Sequence, residues 1–231
     1  MDIAAIWNMA LADIGSTATV TGAGDLSKAG VQCGLWWPVA RDGVLRAFPW
    51  PFATVTATLA QIPAATYQAP DWGYAYGYPD DCLKALELLS PAGRNPPSRA
   101  RIPWAVRASV SSGGGTVRYV VTDYPPGIAL GEAGDGYWPW GPPVGLQPLT
   151  MLPCLRYVAQ VTDVSVYPPE VCVAMAWQLA AYLAMPLAMA KELRVNAEQE
   201  ARVAVASAIA VSLNERQGEV PRDADAQMAR R

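Results

Sequence analysis

Between residues 62 and 103 the chain carries Pro63, Pro70, Pro79, Pro91, Pro96, Pro97 and Pro103, and this spacing leaves no room for a long helix. Each proline lacks a donor N–H and drives the residue before it into extended backbone. The middle of the chain is therefore predicted to consist of short extended segments and turns. Ile102 to Val110 and Thr116 to Thr122, separated by Ser111-Ser112-Gly113-Gly114-Gly115, predict a hairpin of β-branched strands. Leu155 to Val166 resumes strand character. Residues 125 to 150 are Gly, Pro, Trp and Tyr without periodicity, including Tyr137-Trp138-Pro139-Trp140. They read as a long loop, and its aromatic content favours docking over disorder.

The two ends have a different texture. Ile3, Ile6, Trp7, Ala10, Leu11 and Ile14 recur at helical spacing until Gly15. Asp25 or Ser27 is placed to cap a second helix running through Val31, Leu35, Trp36, Val39, Val44 and Leu45 to Phe48-Pro49-Trp50-Pro51. From Phe52 to Gln61 helix and strand both remain open. Tyr167-Pro168-Pro169-Glu170 is a helix start, because proline is tolerated in the first turn and glutamate suits the N-terminal dipole. A helix to about Met185 follows, Pro186 breaks it, and a second pattern continues to about Arg216 before Gly218 and Pro221. The fold class expected is α+β: a helical bundle from residues 1–61 and 167–217, an inserted antiparallel β-rich module at 62–166, and a flexible tail at 218–231.

Composition narrows the function classes. The chain contains no histidine, so Ser-His-Asp and Cys-His constellations cannot be built. Cys33, Cys82, Cys154 and Cys172 show no CxxC spacing, and no phosphate-binding glycine loop is present. Neither a metal nor another cofactor is expected, nor an enzyme; an enzyme of unrecognised type is the alternative from a different class. Absence of a basic leader at the start predicts that the thiols are reduced. Val171 to Ala190 lacks charge over a membrane-spanning length, but Gln178 and Pro186 interrupt it, and a helix buried on several sides reads the same way; no membrane partner is expected. A net charge of −3 argues against a DNA-coating protein. Residues 91 to 126 nevertheless concentrate Arg94, Arg99, Arg101, Arg107 and Arg118 against Asp123 alone. Only 16% of residues are charged, while nine Trp and ten Tyr are present, a balance that suits burial against protein partners.

Four segments, in order, resemble the tail tubular protein A family, the head-to-tail adaptors of short-tailed bacteriophages. The first is Trp7-Asn8-Met9-Ala10-Leu11-Ala12-Asp13-Ile14-Gly15, with a following helix that bears Cys33 and Arg41-Asp42-Gly43-Val44-Leu45-Arg46. The second is Phe48-Pro49-Trp50-Pro51-Phe52-Ala53, with Leu59-Ala60 after it. The third, and strongest, is Trp72-Gly73-Tyr74-Ala75-Tyr76-Gly77-Tyr78-Pro79-Asp80-Asp81-Cys82-Leu83. The fourth runs from Tyr157-Val158 through Asp163-Val164-Ser165-Val166-Tyr167-Pro168 into Leu179-Ala180-Ala181-Tyr182-Leu183-Ala184. The chain departs from the pattern at residues 125 to 150, where its loop is longer and more aromatic.

The resemblance implies a structural virion protein of the tail or neck, assembled in the host bacterial cytoplasm. It implies a homo-oligomeric ring, typically of twelve copies, between the portal protein and the tail nozzle protein, with genomic DNA passing through the lumen without sequence-specific binding. A neck or head-completion protein of another tailed-phage class is the neighbouring alternative. Within this frame Arg94, Arg99 and Arg101 are candidates to line the DNA channel, and Tyr137, Trp138 and Trp140 to touch the nozzle or a neighbouring subunit. Arg222, Arg230 and Arg231 in the polar tail are candidates to bind the portal. The isolated chain is expected to stay monomeric and to close its ring on the portal.

Overall fold

The computed structural model describes residues 1–63, 71–89, 102–110, 115–124, 126 and 152–215. These form two compact units, Met1–Phe52 with Val161–Arg231 and Ala53–Gln160. The molecule is α+β: one unit holds the helices from both ends of the chain and the other, inserted between them in sequence, holds two antiparallel sheets.

In the helical unit, α1 (Ile3–Asp13) is capped by Asp2, whose Oδ1 accepts from the Ala5 N–H at 2.8 Å. Gly15, at φ +73°, then takes the left-handed turn that ends the helix, a conformation glycine adopts without strain. Asn8 holds the small-residue loop that follows: its amide donates to the Val20 carbonyl at 3.0 Å and its Oδ1 accepts from the Val20 N–H at 2.8 Å. Of the two residues placed to cap α2 (Lys28–Ala47), Ser27 does so, accepting from the Gly30 N–H at 3.1 Å. Asp25 serves the turn before it, accepting from the N–H groups of Ser27 and Thr21. Glycine at 30 is required by contact, since a Cβ there would sit 2.5 Å from the Asp25 carbonyl oxygen.

The third helix, α3 (Pro169–Leu183), begins at the Pro-Pro-Glu signal and forms the centre of this unit. It packs extensively against α1, α2 and α4 (Lys191–Glu215), whereas α2 and α4 form no such extensive contact among the described elements. Val171, Cys172, Ala174, Met175, Ala176, Leu179, Ala180, Ala181 and Leu183 are all buried. The stretch Pro169–Ala188 is long and apolar enough to cross a membrane by length and composition, and packing on three helices accounts for that character. At Pro186, which can donate no backbone hydrogen bond, the helix loosens into a π-helical turn over Ala184–Ala188, and Met189 reverses direction at φ 51°.

The β module joins a sheet of order β1-β7-β4 to one of order β2-β3-β6-β5, where β1 is Thr54–Thr58, β2 Gln61–Ile62, β3 Tyr74–Gly77, β4 Cys82–Leu89, β5 Trp104–Val110, β6 Thr116–Thr122 and β7 Cys154–Ala159. The stretch left open between helix and strand is thus extended. The expected hairpin forms as β5 against β6, with Val106 opposite Val120. One strand reading is corrected: extended pairing stops at Ala159, and Val164–Val166 is a 3-10 turn capped by Asp163, whose carboxylate accepts from the Ser165 N–H at 2.9 Å. Sequence alternation decides which side chains meet. Tyr76 and Val120 join Leu59, Cys82, Leu88, Leu155 and Tyr157 in the main core, while their neighbours Ala75, Tyr119 and Val121 close a second cluster on the other face.

Candidate interaction surfaces

The α2 sequence carries apolar residues on both sides, and the structure corrects which side is core. Ala29, Cys33, Trp37, Ala40, Val44 and Leu45 are buried, whereas Val31, Leu35 and Val39 are 51%, 62% and 49% exposed. The physical reason is closeness. Small residues at 29, 33 and 40 let the helix approach its partner closely on the side that also buries Trp37 and Val44, and Val31, Leu35 and Val39, four apart, form the opposite ridge. Lys28, Asp42 and Arg46 fall on the same side by helical spacing, so the outer face of α2 is apolar in the middle and charged at both ends.

A second such face lies on α4. That helix buries only Ala197, Ala201, Ala208 and Ser212, a seam of small side chains against α3. Its opposite side exposes Val203 (58%), Ala206, Ala210 and Leu213 (49%), which share one face at spacings of three and four. Two separate apolar surfaces therefore belong to one helical unit, one on each of two helices that share no extensive contact among the described residues.

Around the Phe48 to Phe52 block the aromatic rings form a continuous run. Ring centroids of Phe48 and Trp50 are 5.2 Å apart, those of Trp50 and Phe52 6.1 Å, and those of Phe52 and Tyr167 5.6 Å. The Trp50 Nε1–H donates to the Val44 carbonyl at 3.0 Å and fixes the block beneath the end of α2. The Tyr167 hydroxyl donates to the Val161 carbonyl, and burial pushes its pKa up to about 12. Arg41, itself 7% exposed, pairs with Asp42, with Nε 2.8 Å from Oδ1.

The tyrosine-rich segment of the β module is structural in the same sense. The Tyr76 hydroxyl donates to the Tyr124 carbonyl at 2.9 Å, and the Tyr157 hydroxyl to the Asp81 carboxylate at 2.9 Å. Cys82 donates to the Tyr78 hydroxyl at 3.1 Å, and the Arg118 guanidinium lies 4.0 Å above the Tyr78 ring. Burial raises the Cys82 and Cys172 thiols and drives Cys33 up to about 11, where thiolate chemistry at neutral pH is suppressed. No cluster of three metal-ligating side chains occurs among the described residues.

The described residues do not include the nine positions singled out from sequence: Arg94, Arg99 and Arg101, Tyr137, Trp138 and Trp140, and Arg222, Arg230 and Arg231. Two arginines of the same basic stretch are described. Arg107 is exposed on β5, and Arg118 is exposed on β6 over Tyr78. The outer faces of α2 and α4 were missed by sequence reasoning. A signal was present, since α2 has apolar residues around most of its circumference, more than one packed side can use. Comparison of the sequence with models of known protein families and with curated proteins gives no match.

Proposed function

We propose that this protein is a structural ring subunit, the head-to-tail adaptor between the portal and the tail nozzle of a short-tailed bacteriophage, and that it performs no catalysis. The four-segment resemblance supplies the identity of the ring. The observation that carries the assembly reading is the pair of exposed apolar faces on α2 and α4. A subunit with two different adhesive surfaces makes heterologous contacts, and such contacts close into a ring when the rotation between copies divides a full turn. A subunit of a symmetric dimer needs only one.

The energetics suit assembly on a template. A half-exposed Val or Leu that becomes buried contributes about 1 kcal/mol, so Val31, Leu35 and Val39 of one face with Val203 and Leu213 of the other give several kcal/mol, comparable with the cost of immobilising a free partner. Copies held side by side on a portal ring avoid most of that cost. This favours a chain that is monomeric alone and closes its ring on the portal. Arg222, Arg230 and Arg231 are the proposed portal contacts, Tyr137, Trp138 and Trp140 those with nozzle or neighbour, and Arg94, Arg99 and Arg101 the lumen residues past which DNA slides.

Leu35→Glu removes the first face and Ala210→Glu the second. Each variant alone is expected to form no closed ring on the portal in negative-stain images while keeping the native circular dichroism. Mixed together they retain one intact pairing, and cross-linking on the portal should give a dimer and nothing larger. Full rings from either variant, or no association of the native chain with any portal ring, would overturn the proposal.

A further inference from the structure

A cavity of about 150 Å³ opens within the helical unit where Trp50-Pro51-Phe52, the start of α3 and the end of α4 meet. Its walls are apolar, from Trp50, Phe52, Val171 and Val211, but three polar groups belong to it: Ser212, Glu170 and Glu215. Ser212 is 7% exposed and its Oγ has no hydrogen-bond partner among the described residues. An unpaired buried hydroxyl is costly, and a space of this size equals roughly five water volumes of ~30 Å³, more than one hydroxyl can order. Among the described residues, neither glutamate forms an ion pair and no cationic side chain lines the cavity. The lining thus offers aromatic and prolyl surface for an aliphatic stem, a hydroxyl to accept a hydrogen bond, and two carboxylates to receive a positive charge.

We propose that this cavity receives a single lysine or arginine side chain presented by a partner protein chain. The stem packs between Trp50, Phe52 and Val211, the cationic head lies with Glu170 and Glu215, and a donor N–H reaches Ser212 Oγ. Lysine and arginine are the side chains that combine a long apolar stem with a charged tip, which is why they bury the one and keep the other at polar surroundings. The inference concerns chemistry of the site alone and does not depend on what the partner assembles into.

The test uses the full chain, labelled with nitrogen-15, and follows the Trp50 indole N–H, assigned with Trp50→Phe. The probes are N-acetyl-arginine amide and N-acetyl-lysine amide, with N-acetyl-citrulline amide as the uncharged isostere of arginine. A saturating shift with a Kd of the order of 1–10 mM is expected for a basic probe, with citrulline weaker by about tenfold or more. The double variant E170Q/E215Q, altered only in the two carboxylates, should lose that preference, and Val211→Trp, which fills the space from a partly exposed position outside the α3–α4 seam, should abolish binding while keeping the native circular dichroism. Citrulline binding as tightly as arginine would make the cavity merely apolar and overturn the proposal. No saturating shift in the native chain would overturn it as well, including the case in which a shift appears only once Arg216→Gln has removed the arginine that follows Glu215 in the sequence.

Discussion

Among the described residues, the helical unit leaves more of its large apolar side chains outside than the β module, where Val55, Val110 and Val117 are the exposed ones. The β module turns Leu59, Tyr76, Leu88, Leu155 and Tyr157 into one core, helped by the strict alternation of strands. The helical unit instead fills the contacts of α4 with alanine and leaves Val203 and Leu213 outside, as α2 does with Val31, Leu35 and Val39. Each unit buries enough to hold its shape, but the helical unit keeps a reserve of apolar surface. Burial in the folded chain and availability for a partner are therefore separable here, residue by residue.

The sharpest way to break this contrast is to truncate one residue of each kind. Leu179→Ala on α3 and Leu155→Ala on β7 should each lower unfolding free energy by about 2–5 kcal/mol, because both side chains are fully buried. Leu35→Ser should change it by less than about 0.5 kcal/mol. Urea denaturation of the three variants decides the matter, and a large loss for Leu35→Ser would place that side chain in the core after all. Next in size is Asn8→Ala, which removes both hydrogen bonds to Val20 and should cost about 1–3 kcal/mol, read from the same titration.

Alkaline titration sharpens the comparison with smaller effects. Tyr78 and Tyr157 in the β module and Tyr167 in the helical unit are raised from 10 to about 12, and Cys33 from 9 to about 11, each chiefly by desolvation of the charged form. A raised folded pKa means that the unfolded chain loses its proton first, so stability is complete below the ordinary value and falls as pH rises through the folded one. The tyrosine contributions should thus disappear between about pH 10 and 12. Loss through Cys33 should begin nearer pH 9, confined to the native chain and absent from Cys33→Ala. Equal denaturation midpoints for the two proteins from pH 9 to 11 would remove Cys33 from the account. A thiol reagent at neutral pH should meet Cys154 first, since it alone of the four cysteines is not buried.

Where sequence signals were local, they led to the right element. The Gly15 stop, the cap at Ser27, the Pro-Pro-Glu start and the break at Pro186 each follow from one or two residues acting on their own backbone. The β5-β6 hairpin was equally legible, because a glycine-serine turn between β-branched runs leaves little else to form. Orientation was not legible. On α2 the apolar residues occupy most of the circumference, and only contact with α3 shows that Ala29, Cys33 and Ala40 face inward while Val31, Leu35 and Val39 do not. The end of β7 was missed for a related reason: Val164 and Val166 favour strands, but Asp163 turns its side chain onto the Ser165 N–H and closes a 3-10 turn. Of the candidate site, the aromatic loop and the two arginine groups were chosen for their chemistry from positions beyond the described residues, and the helix faces could be recognised only from exposure.

The alanine seam between α3 and α4 acts as a gauge of angle. Side chains of one carbon at Ala197, Ala201 and Ala208 fix how closely and at what tilt the two helices lie, with no rotamers to absorb an error. In the proposed ring, that tilt orients one adhesive face relative to the other, and so sets the turn from each copy to the next. Twelve copies need a turn of about 30°, and thirteen need about 28°. One methyl group too many along this seam is then enough to change how many subunits complete the circle, or to leave it open as a spiral.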